Sequence, residues 1–226
     1  MQKTQYFSPL TGFQNRFSIA GALQRGSRAM LFAMSALLAF SAQAFDDLSA
    51  AQPGTYSLEK THAYIALSYS HQGYSRPVLH FRVMDATLEL ASDVTASTVE
   101  VSIDPASIDS GVDEFDDHLR GDKFFDVANH PEAGFSSTSI VANDDGSYTL
   151  NGDLTAKGIT KPVSLAVTFN KGGTHFQLKK PQLGFSASGV ISRSDWDLGY
   201  AVPIVGDEVT LTIEVEFLGE NAPAAE

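Results

Sequence analysis

From residue 62 onward the chain alternates apolar and polar positions with a period of two. Over 62–71, Ala63, Ile65, Leu67, Tyr69 and His71 share one face, and His62, Tyr64, Ala66, Ser68 and Ser70 share the other. That pattern predicts a strand with one buried side. A turn over 73–77 leads to a longer strand, 79–90, with Phe81 and Val83 on one face and an expected bulge at Asp85-Ala86. Residues 97–103 give a third strand, with Ser97, Val99, Val101 and Ile103 on one side. Further on, 135–141 and 148–154 flank Asn143-Asp144-Asp145-Gly146, a strong hairpin signal. Strands at 163–169, 182–192 and 208–218 complete the pattern, the last with Val209, Leu211, Ile213, Val215 and Phe217 in strict alternation.

About eight short antiparallel strands with regular turns define an all-β barrel or sandwich. Small residues among the apolar ones, such as Ala63, Ser97, Ala187 and Gly189, leave room inside. A closed eight-stranded sheet is just wide enough to hold one small ligand, so the expected architecture is an antiparallel barrel.

One stretch breaks the alternation. Residues 113–137, DEFDDHLRGDKFFDVANHPEAGFSS, crowd carboxylates, two histidines, an Arg and a Phe pair between strands. They predict a short helical insertion (about 112–121) that turns at Gly121, then a loop pinned by Phe124 and Phe125 that re-enters a strand at Phe135. The cluster Asp113, Glu114, Asp116 and Asp117 suits a first helical turn through the helix dipole, which favours a solvated helix face over a catalytic pair.

The ends differ in composition from the middle. Residues 1–44 hold Lys3, Arg16, Arg25 and Arg28 and no acid, then an apolar run at 29–40 and Ala42-Gln43-Ala44. This reads as a secretory signal peptide cleaved after Ala44, since twelve apolar residues fall short of the roughly 20 that a spanning helix needs. One domain over 45–220 and a disordered tail at 221–226 follow. Without the leader, eleven cationic residues face twenty-seven acidic ones, a formal charge of −16. Such a surface repels phosphate backbones and anionic lipid, which argues against nucleic acid and against electrostatic docking on a membrane, and no stable membrane insertion is expected after cleavage. No cysteine is present, which excludes disulfides, thiol catalysis and Cys-zinc sites.

Local chemistry is sparse. Among the six histidines, His62, His71 and His80 stand nine apart and no pair has the i, i+2 or i, i+4 spacing of a local metal site, so no metal or cofactor is expected. No G-x-S-x-G elbow or other nucleophile signature appears, and no catalytic residue is assigned. The inward candidates for a ligand-binding interior are Ile65, Leu67, Tyr69, His71, Phe81, Val83, Val99, Val101, Phe135, Leu165, Val167, Phe185, Ile213 and Val215. His118, Phe124 and Phe125 are assigned to the rim as a lid.

Four patches taken together resemble one family. They are YSLEKTHAYIALSYSHQG at 56–73, FFDVANHPEAGFSS at 124–137, LTAKGITKPVSLAVTF at 154–169, and GFSASGVISRSDWDLGY at 184–200 followed by GDEVTLTIEVEF at 206–217. In this order they are similar to the YceI-like family. The resemblance implies a lipocalin-like barrel whose interior holds a long isoprenoid chain, a polyprenyl or an isoprenoid quinone, in the bacterial periplasm. It implies a carrier, not an enzyme, with a homodimer left open. Against these stand an enzyme on a small apolar substrate and an envelope protein-interaction module using the acidic helix. Where the family usually has Arg-Ser-Asp-Phe-Gly, this chain reads Arg193-Ser194-Asp195-Trp196-Asp197. Asp116 also stands where the family's helix often has an Arg. Both changes make the charge near the loops less positive and favour a neutral head group over a phosphate.

Overall fold

The computed structural model describes residues 44–82 and 84–220. The expected leader apart from Ala44, the interior candidate Val83, and the expected tail at 221–226 lie outside the described residues.

Ten strands are present among them: β1 (Gly54–His71), β2 (Val78–Phe81), β3 (Met84–Leu90), β4 (Thr98–Ile103), β5 (Ile108–Asp109), β6 (Ala133–Ala142), β7 (Tyr148–Ala156), β8 (Ile159–Thr174), β9 (Pro181–Ser192) and β10 (Val205–Gly219). The sheet runs β10-β9-β8-β7-β6-β4-β3-β1 and is closed by pairing of β1 with β10. β1 pairs with β3 through residues 54–57 and with β2 through residues 65–68, so β2 and β3 are successive halves of one stave. The two-residue β5 adds to the outside of β2. With β2 and β3 counted as one stave and β5 left aside, this is a closed antiparallel barrel of eight staves. Closure leaves no long unpaired edge, which is how such a sheet avoids pairing with other chains.

Three expected boundaries move. β1 starts at Gly54, not near 62, because Tyr56 and Leu58 are already buried strand residues paired to Gly219 and Phe217. Leu58 and Ile65 both face inward although they stand an odd number of positions apart, seven. The chain reconciles this with a bulge in which residues 59–62 all fall opposite Glu216 alone. The bulge expected at Asp85-Ala86 is absent, since β3 pairs with β4 in continuous register from Met84 to Glu89. The stave breaks instead between Phe81 and Met84, where the Arg82 amide turns outward to the Ser107 carbonyl. β8 runs well past the expected 163–169 at both ends. At Gly189, the space expected inside is taken: a Cβ there would lie 2.7 Å from Leu165 Cδ2.

The hairpin between β6 and β7 forms where Asn143-Asp144-Asp145-Gly146 predicts it, with Gly146 at φ +83 donating its N–H to the Asn143 carbonyl. The single α-helix among the described residues, α1 (Asp113–Arg120), lies within the predicted span. Its polar surface is not uniformly solvated, however. Asp116 is buried and accepts from the Ser110 amide (2.7 Å) and hydroxyl (2.6 Å), which ties the helix to the turn before it. Arg120 donates to the carbonyls of Ala106 and Ile108 and to Asp117, and Leu119 packs into the core. The helix is therefore clamped at both ends, over the barrel end where β1 finishes.

Candidate ligand-binding cavity

The barrel encloses a cavity of about 480 Å³ whose wall draws on all eight staves. Ile65, Leu67, Tyr69 and His71 of β1 line it, with Phe81, Val99, Val101, Phe135, Leu165, Val167, Phe185, Ile213 and Val215. These are the inward candidates named from the alternation, Val83 aside. The volume lies within the roughly 300–1,000 Å³ usual for ligand pockets. Most of the wall is aliphatic or aromatic, and the few polar groups gather near the ends.

One end is lined by Leu48, which is buried in a short 3-10 turn ahead of β1. The opposite end carries α1, the Phe pair and the 193–204 segment. Phe125 packs edge-on against Phe81 (centroids 5.5 Å apart), and Phe124 does the same against Tyr200 (5.5 Å). The His118 ring lies 5.9 Å from Phe124, and all three of His118, Phe124 and Phe125 touch the cavity. Lys123 Nζ sits 5.1 Å from the centre of the Tyr200 ring. The Phe pair thus spans from the barrel wall to the loop that follows β9.

Sequence reasoning missed the most unusual cavity residue. Arg193, at the end of β9, is buried at 8% exposure and lines the cavity. Its Nε donates to the Gly206 carbonyl (2.9 Å), Nη2 to Val205 (3.1 Å), and Nη1 to Tyr200 (3.0 Å) and Leu198. Burial lowers its pKa, an effect that the charges of Asp207 and Tyr69 oppose. Tyr69 is displaced upward by its own burial, with Arg193 opposing. Asp207 is held low by hydrogen bonds from the Ser194 hydroxyl and amide. Neither the Tyr69 nor the Tyr148 hydroxyl has a protein hydrogen-bond partner among the described residues, and both side chains face the cavity. Arg193 was visible as part of the Arg-Ser-Asp run. Its inward direction was not, because it follows the last residue of a strand, where alternation stops being informative.

Asp197 occupies the place of the family's usual Gly, and its backbone shows why a Gly suits: φ is +55, in the left-handed region. Its carboxylate pairs with Lys157 Nζ (3.0 Å), so the added negative charge is locally compensated.

Outside the cavity, the bulge of β1 brings Glu59, His62 and Glu216 together, with potential ligand atoms within 4.8 Å of one another. This is the grouping among the described residues that a metal ion would fit best. His62 Nδ1 lies 2.6 Å from Glu59 Oε2, a hydrogen-bond distance. Two ligands of one tetrahedral zinc stand about 3.4 Å apart, so the arrangement matches an ion-paired cluster better than a metal site. The hydrogen bond to Glu59 raises the His62 pKa, with Glu216 adding to it.

A closed antiparallel barrel with an apolar interior defines a class of proteins that bind ligands inside the sheet. Residues 56–217 match the YceI-like domain, and the chain belongs to the YceI-like family. It is 34% identical over 165 residues to Protein YceI of Escherichia coli O6:H1, covering 71% of this chain and 85% of that one. The crystal structure of Burkholderia cenocepacia BcnA superposes with a TM-score of 0.64 at 23% identity, over 70% of this chain and 98% of that one. A polyisoprenoid binding domain from Saccharophagus degradans shares the fold with a TM-score of 0.56 at 11% identity, over 74% of this chain and 99% of that one.

Proposed function

We propose that this protein is a carrier or reservoir for a long isoprenoid-type lipid, exported to the periplasm by cleavage of its leader after Ala44. The observation that carries the reading is the apolar cavity of about 480 Å³ within a closed barrel. Each 100 Å² of isoprenoid surface taken out of water contributes about 2.5 kcal/mol, less the cost of ordering the chain. The polyisoprenoid-binding name of one structural neighbour supports the same class of ligand.

The polar end favours a neutral head group. Arg193 is the cation on the cavity wall, and four backbone carbonyls already occupy its guanidinium, so it is not free to clamp a phosphate. The unpartnered Tyr69 hydroxyl, near Arg193, offers one hydrogen bond, which suits a quinone carbonyl or an isoprenol oxygen. The binding residues in this reading are the inward set named above, with His118, Phe124 and Phe125 as the lid. An enzymatic role has less support: His71 and His118 line the cavity without a carboxylate partner among the described residues, and the carboxylate-paired His62 and His130 lie outside it.

Mass spectrometry of the protein purified from its own cells tests the proposal. A stoichiometric isoprenoid is the expected result. Protein recovered without lipid, and unable to take up an added isoprenoid quinone, would rule the carrier out.

A further inference from the structure

The acidic balance of this chain hides an uneven distribution of charge. From Leu154 to Ser194 there is no acidic residue, while Lys157, Lys161, Lys171, Lys179, Lys180 and Arg193 all fall in this span. The stretch is the β8–β9 hairpin with its flanks. All twenty-seven acids lie elsewhere.

On its β7 side the far end of this hairpin runs past its neighbour, while β9 stays paired with β10 as far as Gln182 opposite Leu218. Pairing of β8 with β7 ends at Val167, yet β8 continues for seven more residues to Thr174. At about 3.3 Å per residue the tip stands roughly 20 Å further along the strand. It is a built turn: the His175 amide donates to the Lys180 carbonyl (2.8 Å), and the Lys179 amide donates to the His175 carbonyl (2.9 Å). His175 Nδ1 accepts from the amides of Gln177 and Leu178. This turn holds two large apolar side chains in solvent, Phe176 at 74% exposure and Leu178 at 56%. Lys171, Lys179 and Lys180 around them are exposed and form no ion pair among the described residues.

We propose that the β8–β9 tip seats this protein on an anionic phospholipid surface, with Phe176 and Leu178 entering the headgroup layer and the three lysines meeting phosphates. Exposed apolar side chains beside unpaired cations are the composition of interfacial anchors. The acids closest to the tip are Asp46 and Asp47 at its base beside Gly172, Glu216, which accepts from the Gln182 side chain, and Glu220, which follows the Gly219 packed against Pro181. Charges farther away than a screening length, about 8 Å at physiological salt, act only weakly on the tip. Net charge therefore does not decide the matter; local charge does. The tip is also continuous with the cavity. Phe45 lies over Gly172, where any Cβ would meet its ring, and contacts Phe169 (6.0 Å). Phe169 in turn contacts Phe185 (5.3 Å), which lines the cavity. Docking through the tip would place this aromatic path next to the membrane, independently of which lipid the barrel holds.

The test is co-sedimentation of the purified chain with vesicles of phosphatidylethanolamine and phosphatidylglycerol, compared with vesicles of phosphatidylcholine alone. Expected is partitioning onto the anionic vesicles at low salt that declines as salt rises, and little onto phosphatidylcholine. At about fivefold per lysine, the K179Q/K180Q variant should lose on the order of 25-fold in partitioning. F176S/L178S should lose binding at every salt concentration. Lys161→Gln, on the same strand within the barrel body, should bind as the unaltered chain does. All of these are exposed positions, and unchanged unfolding midpoints check that the barrel is intact. Absence of partitioning, or equal loss in Lys161→Gln and the tip variants, would overturn the proposal, as would capture of an acidic protein by the tip without any affinity for vesicles.

Discussion

Arg193 shows how much one side chain can hold. Its four carbonyl acceptors belong to Leu198, Tyr200, Val205 and Gly206, so a single guanidinium organises the whole loop between β9 and β10. Methionine fills similar space but satisfies none of those carbonyls. Arg193→Met should therefore lower stability by about 3 kcal/mol or more, and Lys, with a point charge in place of a planar fork, should rescue only part of it. Urea denaturation of the three forms measures this. A difference under about 0.5 kcal/mol would mean that water replaces the guanidinium at no cost. Asp197 illustrates the opposite balance. Glycine there would relieve a left-handed backbone at a gain of about 1 kcal/mol and remove an ion pair worth about as much, so Asp197→Gly is expected to leave the urea midpoint nearly unchanged.

At the scale of elements, alternation made the staves legible and lost the places where it is interrupted. The core-facing sets of β4, β9 and β10 could be read residue by residue, because a period of two has a direct structural meaning. The start of β1 could not. Tyr56 and Leu58 are in phase with each other and out of phase with Ile65, and only the four-residue bulge restores the phase. That bulge also gathers Glu59, His62 and Glu216, a grouping that no local spacing could reveal because Glu216 comes from the far end of the chain. It makes a pH prediction. Since Glu59 and Glu216 raise the His62 pKa in the folded state, its contribution to stability is complete below the unfolded value of about 6.5 and is lost as pH rises through the folded value. His62→Asn should remove a decline in urea midpoint that sets in as pH rises above about 6.5. If the variant and the parent decline in parallel, the cluster does not couple to folding.

For the molecule as a whole, the sequence pattern distinguished inside from outside but not a hollow interior from a filled one. The same alternation would line a tunnel or a packed core, and the difference lies in volumes that only the closed sheet defines. Ala187 separates the two cases. It sits on β9 between Val167 of β8 and Ile213 of β10, and faces the cavity. In a packed core, placing an indole there would force its neighbours apart at a cost of about 1–3 kcal/mol. In a cavity of about 480 Å³ the ring has space, and it occupies volume that a ligand would otherwise fill. Ala187→Trp should therefore keep the stability of lipid-free protein within about 1 kcal/mol while the amount of co-purifying isoprenoid falls sharply. The two readouts divide the explanations. Loss of lipid together with loss of stability would indicate a disrupted core, whereas full lipid occupancy in a stable variant would place the ligand elsewhere than in the barrel.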